Sequence, residues 1–468
     1  SIVALTSRTV FLQAISLVAF FLLGIFLSPQ AVGIFIAVSA LMRIFSLFTD
    51  LGLGAALVQK HEDLDSDDLK NTFTIQEILI VAVVAIGFLL APQVSNFAHL
   101  DHDGLFLYKV LLITLFLSSL KAIPSILLER KLAFERQVIP QIVEALVFNI
   151  LVVVLAYKGL GVSAYSWSIL VSSIVGLPIY YLVSPWMPSF GISLGKIKQL
   201  LSYGLAYQAK SFLAVFKDDL LIVFLNNLVG PSGIGFWGWA QRWSYSPFRL
   251  LVDSVTKVTF PAYSRVQHDK ELLRTGIEKS LFAISSALFP VLVLMSILIG
   301  HLIYLIPKYA KWEAALPSFY FLAAGAAISG LSNILVNALD ATGRVKTTLG
   351  LMIVWIVATW VLTLTFVSKF GFTGISIASF LVTLTIVLTI YLVKRAVKFN
   401  FLEFVWPAAV SSLVMGVVMI LSFRFLTNSY FCLVIVGSIG VITYILMMLL
   451  LAREKIITNL KLVLKAYH

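Results

Sequence analysis

Arg242, Arg249, Asp253 and Lys257 fall in one apolar stretch at spacings of seven, four and four, so on a helix they form a single charged stripe. Lys210 and Lys217 share a face seven residues apart, with Asp218 and Asp219 next in sequence; Arg43 and Asp50 are likewise seven apart. A charged side chain at mid-bilayer costs roughly 2.5–3.5 kcal/mol on insertion scales unless it is paired or wetted. Two readings follow. The charges are structural ion pairs, Arg249 with Asp253 and Lys217 with a neighbouring Asp, or they line a wet path. The stretch from 201 to 261 holds five cations (Lys210, Lys217, Arg242, Arg249, Lys257) against three anions (Asp218, Asp219, Asp253), so pairing alone leaves positive charge over. Surplus Arg and Lys suit an anionic ligand, and phosphate above all: the guanidinium fork and the ammonium point charge both hold it well.

Aromatics crowd the same stretch: Phe236, Trp237, Trp239, Trp243, Tyr245 and Phe248. They fit helix packing and the interfacial belt; Trp243 and Tyr245 lie deeper than a belt requires and would suit a sugar ring beside a phosphate. Asp50 and Asp340 are lone acids open to two readings, a proton or sodium site or a helix-end cap. The acidic run from His61 to Lys70 reads as a solvated turn. Six His without HExxH spacing and the single Cys432 point to no metal and no cofactor. Pro247, between the two Arg of the stripe, is a candidate hinge.

The elements that must position these residues are membrane helices. Of 468 residues, 60% are hydrophobic and 12% charged, against about 45–50% and 25% in ordinary soluble domains. Apolar runs recur at the length a bilayer demands, about 20 residues. They place helices near 8–27, 31–57, 73–92, 106–126, 138–156, 162–183, 201–228, 233–261, 277–305, 315–339, 347–367, 373–393, 403–424 and 430–451. The first run lacks a small-residue cleavage site and reads as a retained helix. Twenty-one basic residues fall on one side of this layout and six (Lys109, Lys158, Lys308, Lys311, Lys369, Arg424) on the other, which puts both termini in the cytoplasm. The net charge of +12 is thereby explained without nucleic acid. Connecting loops are too short for a catalytic or nucleotide-binding domain, and GxxxxGK[ST] is absent.

An internal echo organises the helices. SPQAVGIF (Ser28 to Phe35) and GPSGIGFW (Gly230 to Trp237) align Pro29 with Pro231 and Gly33 with Gly235 at an offset of 202; GLGVSA (Gly159 to Ala164) echoes GFTGIS (Gly371 to Ser376). Six helices per repeat keep both halves in one orientation. The expected fold is therefore an all-α integral membrane protein of about fourteen transmembrane helices. It comprises two parallel six-helix repeats, 1–200 as N lobe and 201–400 as C lobe, around a central cavity, with two extra helices in 401–468.

The strings TDLGLGAALVQKHEDL (Thr49 to Leu64), VTFPAYSRVQHDKELLR (Val258 to Arg274), LSPQAVGIF, ALDATGRVK and GFTGIS resemble, in combination, the polysaccharide transporter branch of the multidrug/oligosaccharidyl-lipid/polysaccharide flippase superfamily. The similarity is to lipid-linked oligosaccharide flippases of the colanic acid and O-antigen type. It implies a V-shaped pair of lobes around a cationic cavity, moving undecaprenyl-pyrophosphate-linked sugar repeats from the cytoplasmic to the periplasmic leaflet of a bacterial inner membrane by alternating access. Pathway partners would be a polymerase and glycosyltransferases. Where Asp340 stands the family often has an uncharged residue, so its coupling role is inferred from its cost alone.

On this reading Arg43, Lys210, Lys217, Arg242, Arg249, Lys257 and Trp243 hold pyrophosphate and sugar, while Asp50, Asp218, Asp219, Asp253 and Asp340 balance charge or couple an ion. An ion-coupled multidrug exporter on the same fold is the alternative, though cationic cargo calls for an acidic cavity. A membrane polymerase or glycosyltransferase would need larger outer loops. The layout predicts that, in a Cys432→Ser background, single cysteines at Lys158 or Lys369 react with an impermeant maleimide added to intact cells. Cysteines at Lys270 or Lys398 should react only after permeabilisation; the reverse pattern contradicts the orientation.

Overall fold

A computed structural model describes residues 2–49, 52–60, 64–426 and 429–467, with backbone alone described for 2–10, 55, 59, 194–211 and 457–467. Among the described residues the chain is helical and contains no strand. Bilayer hydrocarbon leaves no water to satisfy a backbone, so each spanning segment must close its own hydrogen bonds. Among the described residues eleven helices are long and apolar enough to cross a membrane, and the shorter run Phe11–Phe26 adds apolar length near the start. The protein is a multi-pass membrane protein.

Two compact units divide the chain, Ser1–Gly235 and Phe236–His468. The first contains α1 (Ile2–Phe26), α2 (Pro29–Thr49), α3 (Leu53–Gln59), α4 (Ser66–Leu89), α5 (Ala91–Phe97), α6 (His102–Leu120), α7 (Ala122–Arg130), α8 (Phe134–Tyr157) and α9 (Ser163–Val183). The long α10 (Leu194–Arg265) starts in the first unit and ends in the second. The second unit continues with α11 (Lys270–Leu305), a 3₁₀ turn (Pro307–Ala315), α12 (Leu316–Ala341), α13 (Val345–Phe370), α14 (Phe372–Thr383), α15 (Ile386–Lys394), α16 (Phe401–Phe423) and α17 (Tyr430–Tyr467).

Helix α10 merges the seventh and eighth predicted helices, and its non-helical residue is Gly230 (φ 71°, ψ 169°), a conformation that suits glycine. The discontinuity falls in the predicted gap between 228 and 233, and Pro247, a candidate hinge, sits in continuous helix. Four further predicted helices are split: the second between α2 and α3, the third at Leu90 between α4 and α5, the fourth at Lys121 between α6 and α7, and the twelfth at Leu384 and Thr385 between α14 and α15.

Helix ends use the acids that looked unattached in sequence. Asp65 accepts from the Asp68 backbone N–H (2.7 Å), Asp68 reciprocates, and Lys60 pairs with Asp68 at 2.6 Å, so much of the acidic run is a capping box. His61, Glu62 and Asp63 lie outside the described residues. Asp101 caps α6 and Asp269 caps α11. Arg130 at the end of α7 donates to the carbonyls of Leu57 (2.8 Å) and Lys60 (2.7 Å), closing the C-terminus of α3.

Burial follows the solvent. Leu349, Ile353, Val357, Val361 and Leu364 form an exposed apolar stripe along α13, at the period of a helix face meeting hydrocarbon. Inside the first unit, Leu53, Leu57, Phe73, Ile123 and Ile126 join α3, α4 and α7. In the second, Met415, Met419, Cys432 and Val436 join α16 to α17, with Val293 and Ile297 of α11 packed against them.

The closest backbone approach involves the residues of the sequence echo. A Cβ on Gly33 would stand 1.7 Å from the Pro231 carbonyl oxygen, and a Cβ on Gly235 would stand 1.8 Å from that of Pro29. Small residues are what allow such contact between membrane helices, where packing replaces the hydrophobic effect as the associating force. Gly33→Ala and Gly235→Ala should each destabilise the purified protein by roughly 1–3 kcal/mol, seen as a lower thermal unfolding midpoint. Gly350→Ala, whose Cβ meets nothing within 4 Å, should leave it unchanged or gain up to about 1 kcal/mol.

Candidate functional site

In the first unit the charges pair. Arg43 of α2 donates through Nε to Asp219 of α10 at 2.6 Å, with Arg43 half-exposed and Asp219 buried. Lys217 stands 3.2 Å from Asp218. Asn226, one helical turn before Gly230, donates to the Ala98 carbonyl at 2.9 Å and ties this part of α10 to the α5–α6 connection. Asp50 and the side chain of Lys210 lie outside the described residues. An apolar cavity of about 320 Å³ lies nearby, lined by Ala37, Val38, Leu41, Phe97, Val223 and Asn226 among others. It contains no charged lining residue and offers an anion nothing.

In the second unit the same helix carries Arg242, Arg249, Asp253 and Lys257, with Arg242 half-buried and the other three exposed. In the first unit's part of α10 both acids are engaged, Asp218 by Lys217 and Asp219 by Arg43 of α2. Among the described residues no ion pair within 4.0 Å joins Arg249 to Asp253, four residues on. Arg249 and Lys257 thus put an exposed guanidinium and an exposed ammonium group on this part of α10.

The aromatic residues divide. Trp239 is fully buried and stacks on Trp312 at 5.3 Å and 10°, with Tyr309 edge-on at 6.3 Å, so it is core. Trp243 meets Trp239 edge-on at 6.4 Å and is half-buried. Asp340 accepts from Thr348 Oγ1 at 2.6 Å across the α12–α13 turn, where Gly343 takes φ 76°. That contact ties the end of α12 to the start of α13.

Other polar residues come together that the sequence did not single out. Thr256 donates to Asn333 (2.9 Å) and Asn337 donates to Thr259 (2.8 Å), a polar seam between α10 and α12 at i, i+4 spacing on the latter. In the first unit Lys121, at the α6–α7 break, bonds Glu144 of α8, and Glu77 of α4 is buried close by against Ser119. A Cβ on Gly176 would stand 1.8 Å from Glu144 Oε1, so α9 supplies a bare backbone where that carboxylate lies. The available signal was one Lys or Glu in an otherwise apolar run.

Comparison with known proteins places this arrangement. The chain is 23% identical over 249 residues to the succinoglycan biosynthesis transport protein ExoT of Rhizobium meliloti, a stretch covering 52% of this chain and 49% of that protein. It is 24% identical over 384 residues to the probable flippase AglR of Haloferax volcanii, covering 80% and 78%. Its fold superposes on the inward closed conformation of the lipid II flippase MurJ with a TM-score of 0.78 at 17% identity, over 97% of this chain and 100% of that one. The family model described as polysaccharide biosynthesis protein matches residues 22–317. The chain belongs to that family.

Proposed function

We propose that the protein is a flippase that moves undecaprenyl-pyrophosphate-linked oligosaccharide repeats from the cytoplasmic to the periplasmic leaflet by alternating access, for capsule, exopolysaccharide or O-antigen synthesis. It would lie in a bacterial inner membrane with both termini cytoplasmic, about fourteen spans, and lobes at 1–200 and 201–400 followed by 401–468. It would be a transporter and not an enzyme, supplied by glycosyltransferases and followed by a polymerase.

The observation that carries this reading is the cationic face of α10, where Arg249 and Lys257 are exposed and Arg249 makes no ion pair with Asp253. A pyrophosphate leaving water for low dielectric loses its hydration, and fixed guanidinium and ammonium groups replace it. Charge-assisted hydrogen bonds of this kind contribute about 1.5–3 kcal/mol each. Release must still occur, and Asp253 within the stripe lowers the field that the cations would otherwise exert. Arg43 and Lys217, already paired with Asp219 and Asp218, would engage the head group only by exchanging partners. Trp243 offers its face to the adjoining sugar. A cationic drug would meet repulsion from the same stripe.

The test is flipping of a fluorescent undecaprenyl-pyrophosphate oligosaccharide in proteoliposomes, scored by protection from an added quencher. Wild type should translocate it, Arg249→Ala should slow it roughly tenfold or more, and Lys217→Ala should slow it less because that ammonium is already engaged. A wild type that moves no lipid-linked sugar but exchanges an organic cation for protons overturns the reading.

A further inference from the structure

Helix α17 has 38 residues, nearly twice the roughly 20 that a bilayer crossing takes. Its apolar run from Tyr430 meets a turn at Ala452, which leaves helical geometry at φ −139° and ψ 25°, and the backbone then continues as helix to Tyr467. Packing holds that turn. Ala452 is 4% exposed and clusters with Phe282, Ala408 and Met448, and Ile456 in the next turn packs against the same group. Residues 453–467 reach only about 22 Å as a helix, and they carry Arg453, Lys455, Lys461 and Lys465 against Glu454. A segment so short and so charged does not cross the membrane.

Its sequence register is amphipathic. At about 100° per residue, Ile456, Ile457, Leu460, Val463, Leu464 and Tyr467 fall on one arc about 120° wide. Thr458, Lys461 and Lys465 fall outside that arc, with Leu462 the one large apolar exception among them. An apolar arc flanked by lysines is the pattern of a helix lying in the plane of a bilayer surface.

The start of α16 gathers further positive charge beside the tail. Lys394, Arg395 and Lys398, just before α16, are exposed, as is Arg453. The acids nearby are engaged within the protein. Glu403 accepts from the Asn400 side-chain amide at 3.1 Å and from Lys455 at 3.3 Å, and the Lys455 ammonium stands 4.2 Å from the Phe404 ring centroid. Glu278 of α11 accepts from the Asn400 backbone N–H at 2.9 Å and from Arg274 at 3.1 Å. These bonds bring the loop before α16 and the first turn of the tail together. Among the described residues, Lys394, Arg395, Lys398 and Arg453 form no ion pair within 4.0 Å.

We propose that residues 453–467 are an in-plane anchor on the bilayer surface and that, with Lys394, Arg395 and Lys398, they bind the phosphate head groups of anionic lipid. The tail begins where an apolar span ends, so the membrane surface is the partner already within reach. Its apolar arc enters the boundary between head groups and chains, and the basic rim supplies an attraction that a zwitterionic lipid does not return. The proposal needs neither the flippase reading nor a choice of which side of the membrane the tail is on.

The test uses full-length protein in nanodiscs, in a Cys432→Ser background with a spin label on Leu464→Cys or Thr458→Cys. In discs rich in phosphatidylglycerol the label at position 464 should collide with dissolved oxygen and be shielded from a neutral, water-soluble nickel chelate; the label at 458 should show the reverse. In phosphatidylcholine discs the label at 464 should become at least about fivefold more open to the chelate, a factor corresponding to the surface attraction of one basic residue. Lys461→Glu combined with Lys465→Glu should behave in phosphatidylglycerol as wild type does in phosphatidylcholine. Lys461→Arg combined with Lys465→Arg should keep the wild-type pattern, which separates loss of charge from loss of fold. Equal chelate access at 464 in the two lipids would overturn the head-group recognition. A label at 464 shielded from both quenchers would put the tail against protein and overturn the anchor.

Discussion

A charge inside hydrocarbon must find a partner, a proton or water, and that demand orders much of what this chain does. It sets Arg43 against Asp219 and Lys121 against Glu144, and it draws Asp340 into the α12–α13 turn. Where the demand is met inside the protein, the residue fixes helices to one another. Arg249 of α10 makes no ion pair with Asp253 and stays exposed on its helix.

Close packing is the second constraint, and it acts through glycine. Gly33 and Gly235 each face the carbonyl of the other segment's proline, so the echo between residues 28–35 and 230–237 is also a reciprocal contact. The positive φ of Gly230 lets α10 change direction just before that contact. One four-residue pattern thus accounts for a chain break and a helix crossing.

Much of the architecture was legible in the sequence because membrane helices announce themselves by length and apolarity. The all-helical fold and the family followed from those runs and from strings such as FPAYSRVQ and ALDATGRVK. The break in α10 falls at Gly230, between the predicted helices 201–228 and 233–261, because a positive φ there cannot be helical, whereas Pro247, read as a candidate hinge, sits in continuous helix. Arg249 and Asp253, which spacing alone would pair, do not pair, because i, i+4 proximity permits contact without requiring it. Glu77, Lys121 and Glu144 escaped notice since none has a charged residue three or four positions away in the chain, and only the packing of α4, α6, α8 and α9 gathers them. Sequence spacing finds clusters on one helix and is blind to clusters among several.

The central claim is that the cationic face of α10 recognises a pyrophosphate head group. Equilibrium binding of undecaprenyl pyrophosphate and of uncharged undecaprenol to the protein in nanodiscs, compared between wild type and Arg249→Glu, tests it most directly. The account predicts that wild type prefers the pyrophosphate lipid by at least about tenfold, roughly one charge-assisted hydrogen bond, and that Arg249→Glu abolishes the preference. Equal affinity of wild type for both lipids, or a preference untouched by the charge reversal, would contradict it.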